Sequence, residues 1–224
     1  MGQEEHQLKP EARKGDTLAK YAALISLLVF LITTWVVVLS NDPKSLGWFT
    51  FHPPLQSLSL CFFTYGILTL QPSSQPQTKK AGLARHQVAM LLLGFPAIAV
   101  GTSAMIYNKY AHGAPHFTSW HGIFGLVATI WLVLQIVVGG GSVWYGGIVF
   151  GGGAKAKAAY KYHRLSGYIL LPWLLITVHL AGAWSEWMVG HTAFATSLIA
   201  YTIAPAIVLI SVYARMRSSK MRFA

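Results

Sequence analysis

Four histidines in this chain share one arrangement: His52, His86, His121 and His163 each stand near the start of a long apolar stretch. An imidazole can bind a metal through one ring nitrogen while the other donates a hydrogen bond outward. If the chain reverses at every apolar stretch, His52 and His121 share one side and His86 and His163 the other. That gives two pairs of nitrogen ligands at opposite ends of one helix bundle. Two imidazoles fill both axial positions of a haem iron, leaving no open site for oxygen and favouring electron transfer over oxygen activation. Two bis-histidine haems, one near each membrane face, would account for the set.

The elements that position these residues are read from hydropathy. The composition is 54% hydrophobic and 10% charged, far from a soluble domain. A helix needs about 20 apolar residues to cross the hydrocarbon core. Six segments qualify, over 21–39, 49–70, 86–107, 121–138, 165–187 and 194–213. Short loops are expected at 40–47, 71–85, 108–120, 139–162 and 188–193. The fold class expected is an all-α membrane protein, with six transmembrane helices and a central four-helix bundle holding two haems. A cytosolic N-terminal tail is expected over 1–18, the transmembrane unit over 19–214 and a basic cytosolic tail over 215–224. No short apolar region with a small-residue cleavage site follows the polar start, so the first span reads as a retained anchor.

Charge sets the orientation. The net charge is +11, but the basic residues lie in loops and tails, which argues against a nucleic-acid partner. Lys9, Arg13, Lys14, Lys20, Lys79, Lys80, Arg85, Lys155, Lys157, Lys161, Arg164 and the C-terminal basic residues fall on one side, against Lys44 and Lys109 on the other. The positive-inside rule then places both termini in the cytosol, with His86 and His163 near the cytosolic face. The sole cysteine, Cys61, lies in an apolar segment, so there is neither a disulfide framework nor a thiolate metal site. Gly139–Gly141 and Gly151–Gly153 read as turns or linkers and fit no dinucleotide fingerprint.

Two of the histidines are followed by glycine at i+4, His121 by Gly125 and His163 by Gly167. Residues four apart share a helix face, and a flat macrocycle beside the ligand needs room there. Small residues also favour close helix packing without any cofactor. His86 has Met90 at that position and His52 has Gln56, which can hydrogen-bond. His179 lies deep in the fifth span, on a face turned away from His163, and reads as a packing or hydrogen-bonded residue.

The ordered set of motifs resembles the eukaryotic cytochrome b561 family, above all its stand-alone short members. Phe51-His52-Pro53 opens the second span and Arg85-His86 the third. The stretch from Phe117 to Gly125 is similar to the family's F-x-S-x-H-x-x-x-G, Gln135 and Gly139 fit Q-x-x-x-G, and His163 with Gly167 fits H-x-x-x-G. The resemblance implies two b haems, ligated by His52 with His121 and by His86 with His163. It implies that cytosolic ascorbate gives up an electron, which leaves on the far side to monodehydroascorbate or a ferric chelate, in an endomembrane, vacuolar or plasma membrane. A homodimer is common for that architecture.

Substrate residues follow from charge and position. Lys79, Lys80, Arg85 and Arg164 flank the cytosolic pair, where a basic mouth would attract the ascorbate monoanion. The same charges also serve as topology signals. On the far side Asn108, Lys109 and His116 lie in the loop into His121 and are the candidates there, an ordinary solvated loop being the competing reading. No catalytic residue is expected beyond the haem ligands. The competing functions are a quinol-oxidising haem b membrane subunit and a haem-free transporter that uses its histidines to bind protons.

Overall fold

A computed structural model describes residues 12–71 and 75–217. The tail residues 1–11 and 218–224, including Lys9, Lys220 and Arg222, lie outside the described residues. Those described form an all-α structure. Its helices are α1 (Asp16–Ser40), α2 (His52–Thr69), α3 (Pro76–Gln87), α4 (Phe95–Ala111), α5 (Trp120–Val143), α6 (Gly153–Trp184), α7 (Glu186–His191), α8 (Phe194–Leu198) and α9 (Ala204–Arg215). A π-helical turn over Val88–Gly94 fuses α3 and α4 into one rod, and another over Ile199–Ile203 fuses α8 and α9. Both π turns precede a proline, Pro96 and Pro205. Proline lacks the backbone N–H and crowds the carbonyl four residues back, so a widened turn there relieves the conflict.

Among the described residues, five helical segments are long and apolar enough to cross a membrane: Asp16–Ser40, Pro76–Ala111, Trp120–Phe150, Gly153–Trp184 and Phe194–Arg215. Their outward faces carry Ile25, Ile32, Val36, Ile130, Leu134, Val137, Ile176 and Ile210, all exposed. Apolar surface on that scale belongs in lipid, not water. The chain is an integral membrane protein. The remaining long helix, α2, is less apolar because Ser57, Ser59 and Thr64 lie buried on its inner face. Prolines at its first turn fit there because the N–H groups at a helix start have no partner to lose.

The helices begin earlier than hydropathy places them. The expected loop over 71–85 is helical from Pro76, and the expected loop over 139–162 is α5 to Val143, a 3-10 turn over Trp144–Phe150 and α6 from Gly153. The added turns are rich in alanine, lysine and glutamine, which favour helix while leaving the stretch too polar on average for a hydropathy window to pick out. His86 and His163 therefore sit inside helices rather than at their starts. Gly151–Gly153 do form a turn, with positive φ at all three. Gly139–Gly141 do not: they lie within α5, where a Cβ would collide with His163, Trp144 and Phe150 respectively.

Two apolar clusters hold the bundle. One joins α1, α2, α6 and α9 through Phe30, Leu60, Leu171, Leu175, Tyr201 and Val208. The other joins α2, α4, α5 and α6 through Phe63, Ile98, Ala128, Leu132 and Leu170. A polar knot ties one end. Arg215 donates to Asp16 O at 2.5 Å and to Gln71 O at 2.7 Å, and Arg13 donates to Ala214 O at 2.7 Å. The start of α1, the end of α2 and the end of α9 thus meet at one end of the bundle.

At Gly182, α6 comes close to the π turn over Ile199–Ile203: a Cβ there would stand 2.0 Å from Cγ and 2.5 Å from Cβ of Tyr201. Tyr201 cannot retreat, because it packs edge-on to Phe30 and bonds to Thr34. Gly182→Val is expected to cost about 3 kcal/mol, seen as earlier loss of helical signal on heating in detergent, with Gly182→Ala intermediate. An unchanged melting profile would mean that the contact yields freely.

Candidate redox site

The four histidines meet in two pairs. The ring centroids of His52 and His121 are 6.0 Å apart, with planes at 75°. Those of His86 and His163 are 6.3 Å apart, at 84°. Among the described residues no group of three or more His, Cys, Asp or Glu side chains forms a metal cluster. A structural zinc site needs about four protein ligands, so neither pair is one. An imidazole on each side of one metal, at metal–nitrogen bonds of about 2 Å, sets ring centroids about 6 Å apart. The spacing thus fits an iron whose other ligands come from a flat macrocycle.

Each histidine is held by its Nδ1, which leaves Nε2 free to face its partner. His52 Nδ1 meets Gly101 O at 3.0 Å, His86 Nδ1 meets Gly66 O at 3.1 Å and His121 Nδ1 meets Thr177 O at 3.0 Å. A carbonyl only accepts, so each of these Nδ1 atoms carries the proton. The His163 ring rests against Gln135 on α5, whose main-chain carbonyl accepts from it and whose side-chain amide reaches its Nδ1. These carbonyls register the helices against one another. Gly66 lies about fourteen residues along α2 from His52, and Thr177 about as far along α6 from His163, or roughly 20 Å at 1.5 Å per residue. Two pairs so spaced lie near the two faces of a hydrocarbon core of about 30 Å.

The elements that deliver these rings have local causes. Ser119 caps α5 by accepting from Gly122 N at 3.2 Å, which puts His121 in the first turn. Gly101 lets α4 approach α2 so closely that a Cβ there would meet Leu55 Cβ at 3.0 Å and His52 O at 3.4 Å. Gly66 is packed against Met90, where a Cβ would meet Met90 Cε at 3.1 Å. Gly125 and Gly167 differ. A Cβ would reach only Thr177 Cγ2 at 3.8 Å from Gly125, and only Gln135 Oε1 at 4.0 Å from Gly167. Protein packing does not require glycine at either place, so both leave a clear face one turn from a histidine, where a macrocycle would lie.

The other candidates are scattered. Lys79 and Lys80 are exposed on α3, and Arg85 is exposed one residue before His86. Arg164 donates to the Tyr168 hydroxyl at 3.3 Å and lies over its ring. Asn108 has a buried Oδ1 without a hydrogen-bond partner, close to Gly47. Lys109 donates to Pro115 O at 2.7 Å, bracing its own loop, and His116 is exposed beside Phe117. His179 is a hydrogen-bonded residue: Trp184 donates to its Nε2 at 3.0 Å, and its Nδ1 meets Tyr201 O and Thr202 Oγ1. Gln56 does hydrogen-bond, to Thr102 Oγ1 at 2.9 Å. Nothing in the sequence singles out the carbonyls of Gly66, Gly101 and Thr177. A backbone acceptor leaves no side-chain signal, although two of the three are glycines on the facing helix.

The sequence is similar to those of known proteins. The sequence model of the family described as eukaryotic cytochrome b561 matches residues 51–189, which contain all four histidines. The protein named transmembrane reductase CYB561D2 is 31% identical to this chain in Bos taurus, over 66% of this chain and 67% of that one. Its namesake in Homo sapiens is 30% identical and that in Mus musculus 32%, at the same coverage. An all-α membrane bundle, two facing imidazole pairs and a match over most of the chain converge on one assignment: the chain belongs to the eukaryotic cytochrome b561 family, haem b proteins that move electrons across membranes.

Proposed function

We propose that this chain carries single electrons from cytosolic ascorbate to a non-cytosolic acceptor, monodehydroascorbate or a ferric chelate. His86 with His163 would hold one b haem and His52 with His121 another, and the two would supply the one-electron relay. The observation that carries the reading is the pair of imidazole spacings, 6.0 and 6.3 Å, at opposite ends of the bundle. Haem held by either histidine pair would supply a one-electron iron couple with no open position for oxygen. The residues do the rest. Four Nδ1 contacts fix the rings, Gly125 and Gly167 clear the faces beside them, and the surrounding helices exclude bulk water.

A six-crossing topology would account for the vectorial part. Because the start of α1, the end of α2 and the end of α9 meet at one end, α2 returns the chain over the same span that α1 covers. We read α2 as the sixth crossing, at about 27 Å for its 18 residues. The basic loops then lie on the cytosolic side with His86 and His163, and the transmembrane unit 19–214 stands between cytosolic tails over 1–18 and 215–224. On the far side Asn108, Lys109 and His116 form the loop nearest the His52–His121 pair in sequence.

The test is reconstitution. Proteoliposomes holding the purified haem-loaded protein receive ascorbate on one side, with a ferric chelate on the other. The expected result is ascorbate-dependent reduction of the chelate that stops when the protein is omitted. Reduction of the haems by ascorbate with no electron reaching the chelate, nor monodehydroascorbate supplied in its place, would contradict the reading. The exposed Lys79 and Lys80 are placed to draw the anion to the cytosolic mouth. Lys79→Gln with Lys80→Gln is expected to slow haem reduction by ascorbate about threefold to tenfold at low salt, the difference fading towards a Debye length of about 8 Å at physiological salt. Equal rates at low salt would leave these lysines a topological role alone.

A further inference from the structure

Two elements, α1 and the rod made by α3 with its π turn, pack against α2 from different sides. Between them a cleft of about 740 Å³ opens on the outside of the bundle. Leu24 and Leu28 of α1 form one bank, Val88 and Leu93 form the other, and Phe62 floors it. Leu28, Val88 and Leu93 are exposed, so the cleft faces lipid. From Arg85 to Leu93 its wall rises about 12 Å at 1.5 Å per residue. That is close to the depth of one leaflet of a hydrocarbon core about 30 Å thick.

One charged side chain, Arg85, stands in this apolar lining, and it is exposed. Lys20 stands one turn before Leu24, on the same face of α1. The two cations lie at the same end, because the start of α1 and the end of α2 meet there and α3 follows α2. No carboxylate answers them among the described residues. Asp16 is paired with Arg13 and Arg217, Asp42 follows the far end of α1 and Glu186 the far end of α6. The ammonium of Lys20 lies over the Tyr21 ring, 5.9 Å from its centroid.

A lysine or arginine near a helix end ordinarily reaches the headgroup layer by itself. Here the cations head a slot of one leaflet's depth, so charge and shape point to one kind of molecule. A guanidinium matches a phosphate through paired hydrogen bonds. A quinone or another neutral amphiphile would fill the slot and leave both charges unanswered. We propose that the cleft between α1 and the α3 rod is a binding site for one anionic phospholipid, its acyl chain between the two banks and its headgroup against Arg85 and Lys20. The lipid comes from the leaflet at the basic end of the bundle. The proposal does not depend on haem ligation by any histidine.

The experiment is native mass spectrometry of the purified, delipidated full-length protein, titrated with phosphatidylserine or with phosphatidylcholine of the same chains. One phosphatidylserine per chain is expected to bind about tenfold more tightly than phosphatidylcholine. Lys20→Gln with Arg85→Gln is expected to weaken it about thirtyfold, whereas Arg85→Lys keeps the charge and most of the binding. Ala84→Trp keeps both cations but fills the slot from one bank, and is expected to abolish the bound lipid. Ala84 is exposed, so the indole displaces no packed side chain. Leu28→Trp fills the slot from the opposite bank, so misfolding of one variant leaves the other to decide. Equal uptake of the two lipids overturns the proposal. So does undiminished phosphatidylserine binding in a folded tryptophan variant, which would show charge acting without the cleft. A quinone carried through purification in place of phospholipid, and displaced by Ala84→Trp, also overturns it.

Discussion

A chain carrying His121→Ala is expected to hold one haem instead of two, with the survivor still reducible by ascorbate. The imidazole it loses is one half of the pair whose centroids lie 6.0 Å apart. His52 remains fixed to Gly101 O, but a single axial ligand is left and the methyl of alanine cannot replace a metal bond. Losing even an outer partner of a ligating histidine costs about 10–100-fold in affinity, and losing the ligand itself costs more. The other pair lies roughly 20 Å away along the helices and shares no hydrogen bond with His121, so the effects are separable. The measurement is haem per polypeptide together with the reduced-minus-oxidised spectrum. Retention of two haems would refute this pairing, and loss of both with helicity intact would refute the independence of the two ends.

The mirror-image result comes from a residue that binds nothing. Gly139→Val is expected to abolish the other haem while sparing the one between His52 and His121. A Cβ at this position would stand 2.6 Å from Cε1, 2.9 Å from Nδ1 and 3.1 Å from Nε2 of His163. The ring cannot slide aside, because Gln135 holds it at Nδ1. The valine must therefore displace the imidazole or part α5 from α6. Haem content is expected to fall to about one per chain, a loss of at least tenfold in occupancy of that site. Gly139→Ala acts in the same direction with smaller effect. Full haem content in Gly139→Val would mean that His163 is not fixed where the close approach puts it. With His121→Ala, the variant assigns each half of the spectrum to one end of the bundle.

What the sequence discloses and what it withholds have physical reasons. Single histidines near the starts of four apolar stretches mark themselves, because an ionisable group near a membrane is costly and conspicuous. The apolar stretches also announce most of the helices. Their ends are another matter. The run of alanine and lysine before His163 and the polar turn after Pro76 are strong helix formers that carry no hydropathy signal, so both appear as loops until the backbone is seen. The glycine runs show a second limit. Gly151–Gly153 adopt positive φ and turn the chain, whereas Gly139–Gly141 stay helical because His163, Trp144 and Phe150 press against them. Composition is identical and only the neighbours differ. The carbonyls that hold the imidazoles lie further still from view, since every residue has one and only the packing selects which is used. The basic residues are legible as charge, yet charge alone does not divide Lys79 and Lys80 from their role in topology.

The most direct test of the central claim is the haem stoichiometry and axial ligation of the purified wild-type protein. The expected result is two b haems per polypeptide, both low-spin with two imidazoles, and a split reduced-minus-oxidised band that collapses to a single component in His121→Ala. A colourless protein prepared under conditions that retain haem, or one haem per chain with an open coordination position, would contradict the account.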